Sequence, residues 1–430
     1  MTNPSVPLTE RRYIVAFVLV TSLFFLWALG VNLNDILIPH LKKAFRLTDF
    51  QSSLIQAAFF GGYFLAALPA GWLMERIGYR KGILIGLLTC AFGAFLFIPA
   101  ASIGLYGFFL FALFVMACGQ GVLEVAANPY VTILGPPESS ERRLNLAQSF
   151  NAVGAVVTPI IGRAFILSGI EYSANQLSAM TPEQSVAYST LEASRVRGPY
   201  LVITALFLFV AALLYFAHLP EVREVSAAAR SESEAAPRDH WAILRYKHLV
   251  KGVIAQFFYV GAQIGVTSFV IRFTQHTLSN TPEKVAANFL KWHLIGFMVG
   301  RFAGSAMMKR IPPPRLLGIF AVCALLSTAT AIVGTGAASV GAVVLLGFFD
   351  SIMFPTIFAL SVKNLGVYTK LASALLVMSI IGGAIVPAIM GYISDVSSIQ
   401  KAFVIPLICY AYVLYFALRG YKQVAATTPG

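Results

Sequence analysis

The sequence predicts an all-α polytopic membrane protein with twelve transmembrane helices, and three observations support this class. Of the 430 residues, 58% are apolar and only 11% are charged, whereas soluble domains carry about 25% charged residues. The mean hydropathy is +0.78. Apolar runs long enough to cross a bilayer, which takes about 20 residues, cover about 13–38, 51–74, 82–101, 106–133, 144–168, 198–219, 251–275, 286–308, 314–336, 340–362, 372–393 and 401–420.

These runs favour helices over β-strands. Only helices and closed barrels satisfy backbone polar groups in lipid, and the strands of a membrane barrel alternate in polarity over about 10 residues. The runs here are longer and uniformly apolar. The first of them is too long for a signal peptide, so we interpret it as a retained helix.

The basic residues orient the predicted helices. With the N-terminus placed inside, twenty of them lie on the cytoplasmic side and eight on the other. The positive-inside rule therefore predicts that both termini are cytoplasmic, in the inner membrane of the cell. This distribution accounts for the net charge of +13 without nucleic acid, for which we find no aromatic-basic motif. The expected surroundings are the lipid bilayer, and the expected state is monomeric.

Repeated motifs divide the chain into two halves. A charged linker over 220–250 separates an N-terminal half, 1–219, from a C-terminal half, 251–430. Gly154-Ala-Val-Val-Thr-Pro-Ile-Ile-Gly matches Gly383-Ala-Ile-Val-Pro-Ala-Ile-Met-Gly at an offset of 229 residues. Further matches at similar offsets predict a parallel repeat of six helices, the arrangement of the major facilitator fold. The site is then expected between two pseudo-symmetric halves near mid-membrane.

Two carboxylates stand inside predicted membrane segments, Asp35 in the first and Glu124 in the fourth. A charge at the centre of a bilayer costs roughly 2.5–3.5 kcal/mol, so such a residue is a functional hypothesis by default. Low-dielectric surroundings disfavour the charged form of a carboxylate, and protonation removes that cost. The pair predicts movement of a polar solute coupled to a proton, with Na⁺ as the alternative ion.

Side-chain amides accompany these carboxylates at helical spacing. Asn32 and Asp35 are three residues apart, as are Gln148 and Asn151, so each pair shares a helix face. We predict that these amides line one cavity. The alternative is that they form hydrogen bonds between membrane helices.

The loop Gly71-Trp-Leu-Met-Glu-Arg-Ile-Gly-Tyr-Arg-Lys-Gly82 resembles the signature loop of the major facilitator superfamily. The resemblance implies that four of its charged residues bias the inward- and outward-facing states: Glu75, Arg76, Arg80 and Lys81. The alternative is a plain positive anchor at the membrane surface. The corresponding stretch of the second half has Pro312-Pro-Pro-Arg315 instead, which puts a symmetrical role in doubt.

A more specific resemblance runs from about residue 24 to 395. The chain is similar to members of the fucose–galactose–glucose:proton symporter family in a series of motifs that occur in order. They include Phe25-Leu-Trp-Ala-Leu-Gly-Val-Asn-Leu-Asn-Asp, Leu123-Glu-Val-Ala-Ala-Asn-Pro129, Leu146-Ala-Gln-Ser-Phe-Asn151, Gln256-Phe-Phe-Tyr-Val-Gly-Ala-Gln263, Ala286-Ala-Asn-Phe289, Pro355-Thr-Ile-Phe358 and Lys363-Asn-Leu-Gly366.

The resemblance implies roles for individual residues. Asp35 and Glu124 match the two carboxylates that take part in proton coupling and sugar binding. The amides that match cavity-facing positions of the family are Asn32, Gln148 and Asn151. A sugar presents many hydroxyls, each a donor and an acceptor, so carboxylates and amides suit its site.

Further ligands are expected on both halves. Trp27 and Tyr63 are candidates for an aromatic face against the sugar. In the second half we predict Gln256 and Gln263, seven residues apart on one helix face, followed by Asn288.

Three other polar residues in membrane segments have weaker readings. Arg301 lies deep enough to need a partner, and we read His293 as structural. Asp350 has no counterpart that we recognise in the family. An ion pair for packing is favoured there over a role in substrate or ion choice.

The sequence thus predicts a proton-coupled importer of a hexose or deoxyhexose that works by alternating access and uses no cofactor and no metal. Asp35 is favoured for the proton, and Glu124 for both proton and sugar. A sodium-coupled or facilitative sugar transporter of the same fold is the alternative. A membrane sensor or enzyme is more distant, because we find no nucleophile–base set, metal cluster or cytosolic effector domain in the sequence.

Overall fold

The computed structural model describes residues 6–45, 49–165, 181, 183–184, 196–217, 240–278 and 281–422. Within these ranges the chain is helical and holds no β-strand. Runs of apolar residues form the long helices because a helix satisfies its backbone N–H and C=O groups within one segment.

The α-helices follow one another closely along the chain. In order, they are α1 Ile14–Ala44, α2 Asp49–Ile103, α3 Tyr106–Ile133, α4 Ser140–Phe165, α5 Arg197–Phe216, α6 Lys247–Thr277, α7 Glu283–Met307, α8 Pro313–Val333, α9 Gly336–Asp350, α10 Met353–Val362, α11 Thr369–Met378, α12 Gly382–Val396, α13 Ile399–Ala402 and α14 Val404–Tyr415. Short 3₁₀ turns and one π-helical turn, Phe416–Gly420, adjoin them.

Nine helical stretches of the described chain are long and apolar enough to cross a membrane by length and composition. They correspond to ten of the twelve predicted segments, because the stretch Leu54–Ile103 contains both the second and the third. The fifth and eighth predicted segments coincide with α4 and α7. These two helices carry more polar side chains, including Gln148 in α4 and Arg301 in α7.

A single left-handed residue joins the second and third predicted segments inside α2. Gly78 has φ 79° and ψ 172°, a conformation that glycine adopts without steric cost. The two arms of α2 pack on the same stretch of α3. The Tyr63 hydroxyl of the first arm donates to Gln120 (3.5 Å), and the Cys90 thiol of the second donates to the Met116 carbonyl (3.7 Å). The arms therefore run antiparallel.

The tenth predicted segment is broken between α9 and α10, and Pro355 explains the break. Proline has no N–H to donate to the carbonyl four residues earlier, and its ring clashes with that carbonyl. The carbonyl in question belongs to Ser351, which accepts from Arg301 Nε instead (3.1 Å). The neighbouring carbonyl of Asp350 accepts from the Tyr259 hydroxyl (2.9 Å). Side chains of α6 and α7 thus replace the missing helical bonds.

The halves meet along two sets of helices. In one, α4 packs against α7 and α10, and in the other α2 packs against α11. At the second contact a Cβ on Gly71 would lie 2.8 Å from the Cβ of Ala374. Small residues at this point let the two helices approach closely, as is common between membrane helices.

The division of the chain into 1–219, 220–250 and 251–430 remains a prediction. Residues 218–239, which include most of the predicted linker, lie outside the described residues. The described chain resumes at His240, and α6 begins at Lys247, slightly before the predicted end of the linker.

Both ends of the described chain lie at one end of the bundle, which we name the terminal end. There Leu8 contacts Arg143 at the start of α4. The His248 ring at the start of α6 hydrogen-bonds to the backbone of Lys363, and Lys251 Nζ lies 5.8 Å from the Tyr415 ring. Lys363 in turn forms an ion pair with Glu141 of α4 (2.7 Å).

Arg143 holds the terminal end of the N-terminal half together. Its side chain is fully buried. Nε donates to the Val131 carbonyl (2.7 Å), and one terminal nitrogen donates to the Leu8 carbonyl (2.8 Å) and to Ser139 Oγ (2.9 Å). The other terminal nitrogen donates to the Thr132 carbonyl. One guanidinium therefore joins the end of α3, the loop after it and the N-terminal segment.

We predict that Arg143→Lys lowers the apparent melting temperature of the detergent-solubilised protein. Lysine carries the charge but lacks the planar five-donor fork of arginine, so some of these carbonyls lose their donor. A buried polar group left unpaired costs about 1–3 kcal/mol. The half-buried Arg142 supplies the matched control, Arg142→Lys. Equal melting temperatures for the two variants would contradict the role assigned to Arg143.

Candidate functional site

A cavity of about 290 Å³ lies between the two halves. It is lined by α1, the first arm of α2, α3 and α4 on one side, and by α6, α7, α10 and the turn before α12 on the other. On α4 the lining extends from Gln148 to Ala155, about 12–22 Å along the helix from Ser140 at 1.5 Å per residue. A bilayer core is about 30 Å thick, and a helix α4 that begins at the edge of this core would carry the lining residues near its middle.

Trp27 and Tyr63 form an aromatic wall in the N-terminal half. Both are buried, and Trp27 Nε1 donates to the Tyr63 hydroxyl (2.7 Å). That hydroxyl donates in turn to Gln120 Oε1 (3.5 Å) behind the wall. These hydrogen bonds hold the two rings in place at the cavity wall. Phe59, Phe60, Phe297 and Phe354 add further aromatic surface.

Among the described side chains, Glu124 is the carboxylate that lines this cavity. Only 4% of it is exposed, and its hydrogen bond from Asn128 Nδ2 is long, at 3.5 Å. Among the described residues, no cationic nitrogen lies within 4.0 Å of its oxygens. A carboxylate with so few partners keeps free acceptor sites for a proton or for a ligand.

Amides on α1 and α4 complete this side. Asn128 Oδ1 accepts from Gln148 Nε2 (2.9 Å), which connects Glu124 to α4. Asn151 Nδ2 donates to the Phe24 carbonyl (3.3 Å), and Asn32 Nδ2 donates to the Ala28 carbonyl (2.7 Å). Their amide oxygens remain as acceptors at the cavity wall.

Arg301 crosses from the C-terminal half to the N-terminal half at the cavity. It is 4% exposed, and one terminal nitrogen donates to both the side-chain oxygen (3.0 Å) and the backbone carbonyl of Gln148. Nε donates to the Ser351 carbonyl, and the guanidinium lies 4.6 Å from the Phe297 ring centre. Its positive charge is thus held by neutral acceptors.

The C-terminal wall carries further polar groups on α6 and α7. Gln263, Thr267 and Ser268 line the cavity from α6, and His293 lines it from α7. Thr267 Oγ1 donates to the Gln263 carbonyl (2.8 Å) and lies 3.3 Å from His293 Nε2. His293 Nδ1 lies 3.0 Å from the Val343 carbonyl, so the ring is held from both sides.

The halves close together beyond the cavity, toward the terminal end. Asn145 of α4 donates to Thr356 Oγ1 of α10 (3.1 Å), next to the ion pair between Glu141 and Lys363. The Glu141 side chain is 3% exposed and that of Lys363 is 35% exposed. Ser305 of α7 also donates to a backbone carbonyl of α4 (3.4 Å). These contacts join the two halves between the cavity and the terminal end.

The structure gathers most of the predicted ligands in one place. The residues that line the cavity are Trp27, Asn32, Glu124, Gln148, Asn151 and Gln263. Asp35 lies on α1 one helical turn after Asn32, but its side chain is outside the described residues.

Two predicted ligands stand elsewhere. Gln256 is fully buried, one turn before the lining residue Val260, on the side of the terminal end. Asn288 is exposed, and its Nδ2 reaches the Lys284 carbonyl (3.5 Å). At 100° per residue it lies about 140° around α7 from His293, which turns it away from the cavity.

The predicted gating residues lie around the Gly78 turn of α2. Arg80 donates to the Tyr215 carbonyl of α5 (2.7 Å), a contact within the N-terminal half. Glu75 is half-buried, and Arg76 and Lys81 are exposed. One contact of this turn with the other half is made by Tyr79, whose ring lies 5.3 Å from Lys370 Nζ. The gating role of Glu75, Arg76, Arg80 and Lys81 stays a prediction.

Sequence reasoning left several lining residues out of the site. The sequence identifies Arg301 only as a buried cation, although charged residues inside membrane segments commonly mark functional sites. It predicts a structural role for His293. Gln56, Thr267 and Ser268 carried no signal, since short polar residues are common on membrane helices.

The arrangement suits a small, neutral, hydroxyl-rich ligand. The cavity offers amide donors and acceptors, a carboxylate and aromatic faces, and its volume is near the lower end of the roughly 300–1,000 Å³ typical of small-molecule sites. Among the described residues, no group of three or more His, Cys, Asp or Glu side chains could hold a metal ion.

Comparison with known proteins places the chain in a family. The family model described as Major Facilitator Superfamily matches residues 20–387. The glucose/galactose transporter of Brucella abortus is 42% identical over 96% of each chain. The L-fucose-proton symporter of Escherichia coli is 42% identical over 95% of this chain and 93% of the symporter. A crystal structure of the transporter FucP in the outward conformation superposes with a TM-score of 0.88, at 41% identity, over 96% of this chain and all of that one.

These findings confirm the predicted fold class, a multi-pass major facilitator fold, and the prediction of a transporter rather than an enzyme. They also confirm the resemblance read from the motifs. The chain belongs to the major facilitator superfamily, in the group that contains the L-fucose-proton symporter and the glucose/galactose transporters.

Proposed function

We propose that this protein imports a monosaccharide, a hexose or deoxyhexose, together with a proton by alternating access. The observation that carries the proposal is the cavity between the halves, where Glu124 stands among amides and aromatic rings. The names of its relatives, a fucose-proton symporter and glucose/galactose transporters, support the same substrate class.

In this proposal the sugar lies between the aromatic wall and the amides. Trp27 and Tyr63 pack against its C–H surface. Asn32, Gln148, Asn151 and Gln263 exchange hydrogen bonds with its hydroxyls, since each amide offers both a donor and an acceptor. We leave Gln256 and Asn288 out of this ligand set, because neither lines the cavity.

The proton binds to a membrane carboxylate. Asp35 is the first choice for the transported proton, and Glu124 serves both proton and sugar. Protonation from outside removes a buried charge, which lowers the free energy of the state in which the cavity is closed to water. Release on the other side restores the charge and resets the cycle.

The terminal end is the cytoplasmic end in this proposal, and the protein resides as a monomer in the cell inner membrane. The excess of basic residues on that side supports this orientation. Contacts between the halves then close the cytoplasmic side, through Glu141 and Lys363 and through Asn145 and Thr356. In this proposal the state described here is outward-facing, and the similarity to the FucP structure in its outward conformation supports that assignment.

One measurement distinguishes proton symport from the two alternatives, which are coupling to Na⁺ and facilitated diffusion. Sugar added to an unbuffered cell suspension is expected to make the medium alkaline as protons enter with it. Uptake that depends on Na⁺ and changes no pH would overturn the proton assignment. A competition panel against one radiolabelled sugar in proteoliposomes then identifies the sugar.

We predict that Asp35→Asn and Glu124→Gln each abolish proton-driven accumulation of the sugar. Both substitutions keep the shape of the side chain but remove the group that binds the proton. The readouts are uptake of radiolabelled sugar against its gradient and the accompanying alkalinisation.

The matched controls are Asp395→Asn and Glu138→Gln, which neutralise exposed carboxylates. They are expected to accumulate sugar as the unmodified protein does. Full uphill uptake by both membrane variants would refute the mechanism.

We predict that Lys363→Met shifts the protein toward the state that is open at the terminal end. It leaves Glu141, which is 3% exposed, without its cation. Losing one partner of a fully buried pair costs about 3–5 kcal/mol, and the partial exposure of Lys363 lowers this to about 1–3 kcal/mol, a 5- to 150-fold change in the ratio of states.

The shift is measured by electron–electron distances between spin labels on Glu138→Cys and Arg310→Cys, exposed positions in opposite halves. A longer distance is expected in Lys363→Met. Lys422→Met, at an exposed lysine, is the control. An unchanged distance distribution in Lys363→Met would show that the ion pair does not hold this end closed.

A further inference from the structure

Asp350 is a buried carboxyl group that the proposed mechanism does not use. It is the last residue of α9, at the helix break before α10, and has no exposed surface. It is absent from the lining of the cavity. Its position in the C-terminal half contrasts with that of Glu124, which belongs to the N-terminal half.

The hydrogen bonds around Asp350 leave its carboxyl group poorly satisfied. Oδ2 accepts from the Tyr410 hydroxyl of α14 (2.9 Å). Oδ1 is buried and has no hydrogen-bond partner. The Tyr259 hydroxyl of α6 donates to the backbone carbonyl of Asp350 and not to its side chain.

No cation balances this carboxyl group among the described residues. Arg301 of α7 donates to the carbonyl of the next residue, Ser351, and to Gln148, but forms no ion pair with Asp350. Other titratable groups on the neighbouring helices include Cys409, beside Tyr410, and His293, whose ring bonds to Val343 two helical turns earlier. The expectation of an ion pair for packing is therefore not met in this structure.

A metal ion fits this position poorly. The hard cations take six or more oxygen ligands, and here the nearby carbonyls of Asp350 and Ser351 already accept from Tyr259 and Arg301. Only Oδ1 is free. A proton needs a single oxygen, and it removes the charge whose burial without a partner is strongly unfavourable.

We propose that Asp350 is a further proton-binding carboxyl group, located in the C-terminal half and protonated while the terminal end is closed. Asp350, at the helix break with only Tyr410 bonded to its carboxyl group, carries this proton as a neutral acid. Each half then holds a membrane carboxyl group of its own. The proposal rests on the surroundings of Asp350 and does not depend on the identity of the sugar.

Infrared difference spectroscopy of the purified protein at neutral pH tests the proposal. The unmodified protein minus Asp350→Asn is expected to show the C=O stretch of a protonated carboxylic acid, which shifts when H₂O is replaced by D₂O. Because Asp35 and Glu124 are present in both samples, their bands cancel in the subtraction. The exposed Asp395→Asn is the matched control and is expected to remove the two bands of an ionised carboxylate.

A second variant keeps the test decisive if Asp350→Asn does not fold. Tyr410→Phe removes the hydroxyl bonded to Oδ2, so the acid band is expected to move to higher frequency while its intensity remains. Loss of carboxylate bands in Asp350→Asn, or no change of any acid band in Tyr410→Phe, would overturn the proposal. Neither measurement requires sugar transport, so the outcome is independent of the proposed function.

Discussion

The contact between Arg301 and Gln148 is the interaction on which the rest of this structure depends. A guanidinium inside a membrane must have acceptors for its donors, and Arg301 finds them on both halves of the molecule. Its bonds to Gln148 tie α7 to α4, and its bond to Ser351 caps the helix break that Pro355 imposes. The side chain of Arg301 therefore determines three features at once. They are the side on which the cavity is closed, the position of the helix break, and how closely the two halves approach.

This contact also belongs to a longer polar series. From Glu124 it runs through Asn128 and Gln148 to Arg301. In the proposed mechanism a sugar hydroxyl that bonds to the Gln148 amide competes with the guanidinium for the same oxygen. Sugar binding would then weaken one of the bonds that hold the halves together. Protonation of Glu124 would change the hydrogen bonding of the same amide through Asn128. Sugar binding, protonation and the movement of the halves can therefore be coupled directly, because all three involve neighbouring atoms.

The sequence predicted the helices well because long apolar runs have few alternatives in lipid. Helical spacing also predicted that Gln148 and Asn151 share one face of α4, and the family resemblance implied that this face lines a cavity. The sequence could not place Gln256 apart from Gln263, because residues seven apart share a face but differ in depth by about 10 Å. The rotation of α7, which turns Asn288 outward, depends on packing against other helices. The partner of Arg301 lies 153 residues away, and no local pattern identifies it. The break after Asp350 did have a local signal, in Pro355.

The turn at Gly78 has a mechanical consequence. Two membrane-crossing arms are joined there by one non-helical residue, and both are packed on α3. No slack connection exists in which a displacement could be lost. The first arm lies beside the cavity, where Tyr63 is located. A displacement of this arm is therefore transmitted to the second arm and to α3. The three helical segments of the N-terminal half can in this way move as a single rigid body when a small solute binds. A rotation of this body displaces most the atoms that lie farthest from the solute.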